Sequence, residues 1–328
     1  MKSVVLAVLS TAILAPAQLA APVPITEWTV PYADSRPRDP DVDSKGRVWF
    51  VGQAGNYVAY LEPTSGKFTR FDIAAGTHPH NLIVDAQDQV WLAGNRNATI
   101  GRLDPSTGKV TSYSMTDAAA KDPHTLVRDV KSNVIWFTSQ QSNGVGRFDP
   151  VKGTTRVVAL PQSGSRPYGI VLDAKGRPWF VEFGANRFGT IDPATMALTE
   201  MSLPDPRSRP RRLAITSDGR LWMNDYVRGT MLRYDPASKK FDEWPLPSGE
   251  RSLPYAMAVD DQDRVWVVET GVQPNRLVGM NGQTGAIESE TPILPSGAGT
   301  VRHMVFDRKS GAIWFGTDAN TIGKAQVR

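Results

Sequence analysis

The 328-residue chain contains no cysteine. That absence excludes disulfides, thiol nucleophiles and thiolate metal sites. Long apolar runs are missing beyond the N-terminus. No later stretch approaches the roughly 18 residues that mark a membrane span, so no stable membrane insertion is expected. Charge of one sign is scarce: 37 Lys and Arg stand against 33 Asp and Glu, a formal net charge of +4 spread along the chain. No basic run with interleaved aromatics is present, which argues against a nucleic-acid partner. Only Arg207, Arg209, Arg211 and Arg212 cluster; a solvated loop is the simpler account of them and an anion site the other. Local catalytic signatures are absent as well: there is no HExxH, no G-x-S-x-G and no phosphate-binding glycine loop in a usable context. No segment has a convincing helical period.

The one apolar run lies at the start. Lys2 is followed by Val4 to Ala15, then by Ala15-Pro16-Ala17 and Ala20 as cleavage points. Residues 1–20 are therefore expected to be a secretory signal and 21–328 a single mature domain, periplasmic or secreted.

What the chain has in abundance is repetition. Trp49, Trp91, Trp136, Trp179, Trp222, Trp266 and Trp314 stand 42, 45, 43, 43, 44 and 48 residues apart. A period in the forties built from short strands is the mark of a β-propeller with one blade per repeat. The fold class expected is all-β, a seven-bladed β-propeller of four-stranded blades. The fourth repeat is the clearest: Gly169–Leu172, Pro178–Glu182, Arg187–Ile191 and Ala197–Leu203 read as successive strands. Asp173-Ala-Lys-Gly176 and Asp192-Pro193 supply turns, because Gly takes a positive φ and Pro fixes a negative one. The Trp of each second strand should wedge between blades. The last repeat stops after a third strand, Thr321–Val327, while Ile25–Pro31 resembles the outer strands Leu198–Pro204 and Phe241–Pro247. The N-terminal strand should then complete the seventh blade and remove an open sheet edge. A monomer is expected.

Loops arriving at a blade's first strand and leaving its second strand share one face of such a ring. The arriving position is Arg38, His80, His124, Tyr168, Arg211, Tyr255 and Arg302 in turn. All seven side chains can hydrogen-bond, and concave openings between repeated elements commonly hold ligands. Two roles are open for them: a plug that satisfies itself, or a site for a small-molecule or peptide-like ligand. The leaving position is acidic in the later repeats, at Glu182, Asp225, Glu269 and Asp318, and Gly52, Gly94 and Ser139 or Gln140 in the earlier ones. Glu182, Asp225 and Glu269 suit a hard cation such as Mg²⁺ or, second, Ca²⁺.

The repeat P-[HY]-G-I…G-x-x-W-F-x-E-x-x-x-N-x-[IF]-G-x-[IL] resembles the streptogramin B lyase (virginiamycin B lyase-like) family over residues 25–327. Pro167–Ile191, Trp136–Arg147 and Trp314–Lys324 carry the resemblance best. It implies elimination from a cyclic ester: a His removes the proton α to the carbonyl, and Mg²⁺ held partly by a Glu carries the enolate charge. At the positions of that base and that Glu this chain has Arg302 and Asp318, and Tyr255 stands for the family's second His. Arg cannot act as a base at neutral pH. His303 is adjacent, but strand neighbours point to opposite faces, so only a local bulge could bring it round. His80 and His124 arrive at adjacent blades, and Asp122-Pro123-His124 matches the acidic-Pro-His triplet, which makes a displaced site the other arrangement. His124 and His303 are thus the candidate bases. Arg38, His80, Tyr168, Arg211, Tyr255 and Arg302 are the candidate substrate contacts, and Asp318, Glu269 and Glu182 the candidate metal ligands. Three functional readings follow: a Mg²⁺-dependent carbon–oxygen lyase, a non-catalytic binding propeller, and a lactonase-like metal hydrolase using Glu182, Asn186 and Asp225.

Overall fold

The computed structural model describes residues 19–294 and 296–328. The expected signal, with its cleavage point at Ala17, lies outside them except for its last two residues. Ala20, the other cleavage point, donates its backbone N–H to Glu288 O at 2.7 Å.

Twenty-eight strands, β1 to β28 in chain order, form seven four-stranded antiparallel sheets. Among the described residues there is no α-helix, only a 3₁₀ turn at Gly249–Ser252, and no helix long and apolar enough to cross a membrane. The innermost strands are β2 (Pro37–Val42), β6 (Pro79–Val84), β10 (Pro123–Asp129), β14 (Pro167–Leu172), β18 (Pro210–Ile215), β22 (Pro254–Val259) and β26 (Val301–Asp307). Each opens its sheet, except that the seventh sheet runs β1-β28-β27-β26. There β1 (Ile25–Thr29) pairs with β28 (Thr321–Gln326), with Ile25 opposite Ala325 and Thr29 opposite Thr321. Glu27 fastens the seam further: its carboxylate accepts from Ser296 N at 3.1 Å, Ser296 Oγ at 2.6 Å and Thr321 Oγ1 at 2.8 Å. The ring closes as the terminal sequences predict.

The repeated Trp explains why the blades stack. Trp49 packs with Leu82, Leu92 and Leu103 of the second blade, and Trp136 with Ile170, Phe180 and Ile191 of the fourth. Four of the seven anchors are also locked by the turn ahead of them. Asp43, Asp85, Asp173 and Asp260 accept from the indole N–H of Trp49, Trp91, Trp179 and Trp266 at 2.8, 2.9, 3.2 and 2.9 Å. The other oxygen of Asp173 accepts the backbone N–H groups of Lys175 and Arg177, so one carboxylate sets both the turn and the anchor. The fifth repeat has Thr216 at that place and the third and seventh carry an extra turn residue. There the buried indole N–H groups of Trp222, Trp136 and Trp314 have no partner.

Candidate functional site at the arginine, histidine and tyrosine end of the channel

All seven innermost strands carry a β-bulge next to the arriving residue. The register steps from Pro79 to Leu82, Pro123 to Leu126, Pro167 to Ile170, Pro210 to Leu213, Pro254 to Met257 and Val301 to Met304 while the partner strand advances by one residue fewer. In β2 the step is Arg38 to Asp41. A bulge turns two successive side chains toward the same side. The residue after each arriving position, Asp39, Asn81, Thr125, Arg212 and His303 among them, therefore joins the axial cluster. This is the local bulge that His303 required, but it is a feature of every blade.

The arriving residues do meet at the axis. The rings of His80 and His124 lie 3.5 Å apart between centroids, His124 and Tyr168 4.4 Å, and Tyr168 and Tyr255 6.0 Å. The two tyrosine hydroxyls share a hydrogen bond across the channel. The Arg211 guanidinium sits 3.5 Å from the Tyr255 ring centroid and 4.4 and 4.6 Å from those of Tyr226 and Phe183. Arg38, His80, His124, Tyr168 and Tyr255 are buried, so they form a plug. Arg211 and Arg302 are only half-buried and, with Phe183 and Tyr226, form its outer surface. The cluster reading of the basic loop needs correction: Arg207 stays in solvent, but Arg212 is 3% exposed and lies in the channel.

Asp39 is the centre of the plug, and the sequence reading passed over it. It is fully buried, with a left-handed φ of 49° that is unusual for a residue with a Cβ. Arg38 Nε and Arg212 Nη2 each stand 3.6 Å from its Oδ1, and Asn81 Nδ2 donates to Oδ2 at 3.3 Å. Burial alone would raise its pKa; Arg38, His303 and Arg212 outweigh that and bring it to about 2. The surrounding histidines behave oppositely. Burial, then Arg38 and neighbouring cations, push His80 and His124 well below the usual imidazole value, and burial with Arg212 brings His303 to about 4. All three are neutral at pH 7. Burial would likewise raise the Tyr255 phenol, but Arg211, Arg38 and Arg212 bring it down to about 8. Four arginines thus face two carboxylates, Asp39 and Asp318, around three neutral imidazoles.

The candidate metal ligands do not converge. Asp318 is taken by Arg302 in a two-pronged pair, with Arg302 Nε donating to Oδ1 at 3.1 Å. Glu269 turns outward to the blade-to-blade loop, accepting from Ser248 N at 2.9 Å and Arg276 Nε at 2.7 Å. Glu182 is buried beside Ser165 and Glu200, and burial together with Glu200 pushes it up to about 7. Asp225 accepts from Arg209 N at 3.0 Å, and Asn186 donates to Leu203 O. Among the described residues no three His, Asp or Glu side chains come together to hold a metal ion. The residues present do not fit the Mg²⁺ that the resemblance implies. Gly52 and Gly94, where the early blades lack an acid, have a structural cause: a Cβ would lie 2.2 Å from the Tyr57 ring and 2.3 Å from Asn97.

The fold and the site define the class: a closed seven-bladed propeller with an uneven polar cluster at one end of its channel. The chain belongs to the virginiamycin B lyase family, whose model matches residues 87–328. It is similar to a streptogramin B lyase structure at 24% identity and a TM-score of 0.81, covering 92% of this chain and 96% of that one. A catalytically inactive virginiamycin B lyase from Staphylococcus aureus with Quinupristin matches at 25% identity and a TM-score of 0.82, covering 92% and 98%. The extracellular domain of a hybrid two-component system from B. thetaiotaomicron shares the fold at 18% identity and a TM-score of 0.71, covering 95% of this chain and 43% of that one. No curated protein matches.

Proposed function

We propose that this lyase-family propeller binds a small-molecule or peptide-like ligand bearing a carboxylate or ester carbonyl, over the outer surface formed by Arg211, Arg302, Phe183 and Tyr226. The observation that carries this reading is the closed Arg302–Asp318 pair. By resemblance those two positions belong to the proton acceptor and the metal carboxylate. Here they hold a permanently charged donor and its counter-ion; the arginine hydrogen-bonds oxyanions and carbonyls but removes no proton. The aromatic rings around Arg211 add flat apolar surface for a ligand's body. Calorimetric titration with quinupristin tests it. Binding without turnover, weakened at least tenfold by Arg211→Ala, is expected; no binding at millimolar concentration overturns it.

A second reading, a carbon–oxygen lyase, is favoured by one observation, the lowered Tyr255 phenol ringed by Arg38, Arg211 and Arg212. As phenolate, Tyr255 takes the proton from the alcohol-side carbon next to the one bearing the ester oxygen, a carbon made acidic by its own neighbouring carbonyl, and the arginines carry the enolate charge. The C–O bond then breaks, its electron pair leaves with the carboxylate, and a C=C bond forms. This route needs no metal. Quinupristin turnover followed by ultraviolet absorbance of the new alkene distinguishes the readings. Turnover that survives EDTA and disappears in Tyr255→Phe supports elimination by Tyr255. Turnover abolished by EDTA and restored by Mg²⁺ points instead to the metal-dependent route. Export belongs to the same proposal, supported by Lys2, the Val4–Ala15 run and Ala15-Pro16-Ala17. A mature periplasmic mass beginning at Gln18 or Ala21 is expected; recovery of the full-length chain from the cytoplasm overturns it.

A further inference from the structure

Blades four and six carry the same three charged residues at the same register. In blade six, β23 (Arg264–Glu269), β24 (Arg276–Asn281) and β25 (Ile287–Pro292) set Arg276 opposite Glu269 and Glu290 opposite Val278. In blade four, β15 (Pro178–Glu182), β16 (Arg187–Ile191) and β17 (Leu198–Ser202) set Arg187 opposite Glu182 and Glu200 opposite Gly189. Opposed residues share a face of the sheet, as do residues two apart along a strand. Each blade thus has two carboxylates and one guanidinium on one face. Their partners differ. Arg276 donates to both of its carboxylates at 2.7 Å, and Ser248 adds its N–H and O–H to Glu269 at 2.9 and 3.0 Å. Ser248 follows Leu246-Pro247, whereas Gln162 follows the matching Leu160-Pro161, so blade four lacks that donor. Arg187 Nη1 stays 3.9 Å from Glu200, beyond hydrogen-bonding distance, and its side chain is 37% exposed. Among the described residues it is the only cation within 4 Å of either carboxylate. Glu182 is fully buried and neither of its oxygens has a hydrogen-bond partner, nor has the buried Oε1 of Glu200.

We infer that Glu182 and Glu200 form a site for a divalent cation of the calcium class, at the place that the Arg276 guanidinium takes in blade six. Three buried acceptor oxygens without a donor are satisfied together by a hard cation. A single proton on the pair would join two of them and leave the third alone. Ser165, fully buried beside Glu182, gives its hydroxyl proton to Gln162 O at 3.0 Å and keeps its oxygen as a neutral third ligand. The Glu200 side chain is 13% exposed, so water completes the coordination from that side. Calcium is favoured over magnesium because it accepts two-pronged carboxylates and an irregular shell, whereas magnesium requires a near-ideal octahedron. Two acidic ligands set the affinity at the weak end, about 0.1–1 mM. The bound ion ties β15 to β17 across β16 and stabilises blade four. The site is separate from the axial plug and from the outer surface proposed above.

Calorimetric titration of the chelator-treated full chain with CaCl₂ and MgCl₂ tests the site. Calcium is expected to bind one to one, with magnesium at least tenfold weaker, and the melting temperature should rise with calcium. Glu182→Gln and Glu200→Gln are each expected to weaken calcium binding at least tenfold. Glu290→Gln, the same change in the blade-six clamp, should leave it unaltered. The ion preference is read on the unaltered protein, and Glu200 lies at the rim of the blade, so the result stands even if Glu182→Gln fails to fold. No binding at millimolar calcium, magnesium binding as tight as calcium, undiminished binding in a folded Glu200→Gln protein, or an equal loss in Glu290→Gln overturns the inference.

Discussion

The propeller has an anchoring layer and an axial layer, and they are built on opposite rules. In the anchoring layer the seven blades do the same thing seven times: a Trp enters the next blade, and in four repeats an Asp six residues earlier holds its indole N–H. In the axial layer no two adjacent blades repeat a pair: Arg38-Asp39, His80-Asn81, His124-Thr125, Tyr168-Gly169, Arg211-Arg212, Tyr255-Ala256, Arg302-His303. Packing between blades is a local, repeated problem with one good answer. The axis is one shared space in which seven side chains must fit each other, so identical residues would put like charges together. Uniformity therefore reports architecture, and difference reports the place where the molecule is specialised.

Changes to the anchoring layer should cost stability and leave ligand preference alone, whereas axial changes should do the reverse. The largest effect is expected from deleting residues 24–31, which strips β1 from the seventh sheet and exposes the edge of β28. Cooperative thermal unfolding should be lost or greatly lowered, and an unchanged melting temperature would contradict the closure. Trp136→Ala should cost about 3–5 kcal/mol by cavity formation, measured by denaturant unfolding. Tyr255→Phe should stay near wild-type stability while altering ligand binding or turnover.

Acid is the next probe, and it acts on the axial layer. His78, His80, His124 and His303 have folded pKa values below the ordinary 6.5. Below pH 6.5 the unfolded chain therefore binds more protons, and stability falls as pH falls. Glu182, raised to about 7, and Asp41, raised to about 6, act in the opposite sense down to their ordinary values. Three buried imidazoles against two carboxylates leave a net loss, on the order of 1.4 kcal/mol per pH unit for each net proton, and the largely solvent-screened His78 adds little. The melting temperature should drop between pH 6.5 and 5, and His124→Gln should flatten the slope. A flat or rising profile would mean that the imidazoles are not held neutral. Smaller still, Asp43→Ala should cost about 1–3 kcal/mol through the orphaned Trp49 indole. Thr216→Asp should add at most about 1 kcal/mol by giving Trp222 the lock it lacks.

Blades four and six show how far the repeat can be read. Glu182, Arg187 and Glu200 correspond to Glu269, Arg276 and Glu290. In the sixth blade Arg276 bonds both carboxylates, at 2.7 Å each. In the fourth, Arg187 reaches only Glu200, at 3.9 Å, and Glu182 is left protonated near neutrality. The same residue types at the same register give an ion-pair clamp in one blade and, in the other, a buried glutamate that burial and Glu200 hold above its ordinary pKa. Their aptness as metal ligands could not be read from type and spacing.

The sequence by itself determined the number of blades, the strand order, the turns and the closing partner of the last blade. Each of these is a local pattern repeated along the chain: alternation, a Trp at a fixed distance from an Asp or Gly turn, a strand lacking at one end and present at the other. It also named the seven arriving residues. The tertiary structure decided which side chains accompany them and what they do. The bulge in every innermost strand brought Asp39, Arg212 and His303 to the axis, and Arg302 closed on Asp318. A bulge is a property of strand pairing, and the axial contacts join residues as far apart in sequence as Asp39 and Arg212. Whether an arginine there meets a carboxylate, a ring or another arginine depends on the closed ring, because only closure brings those positions within reach of one another.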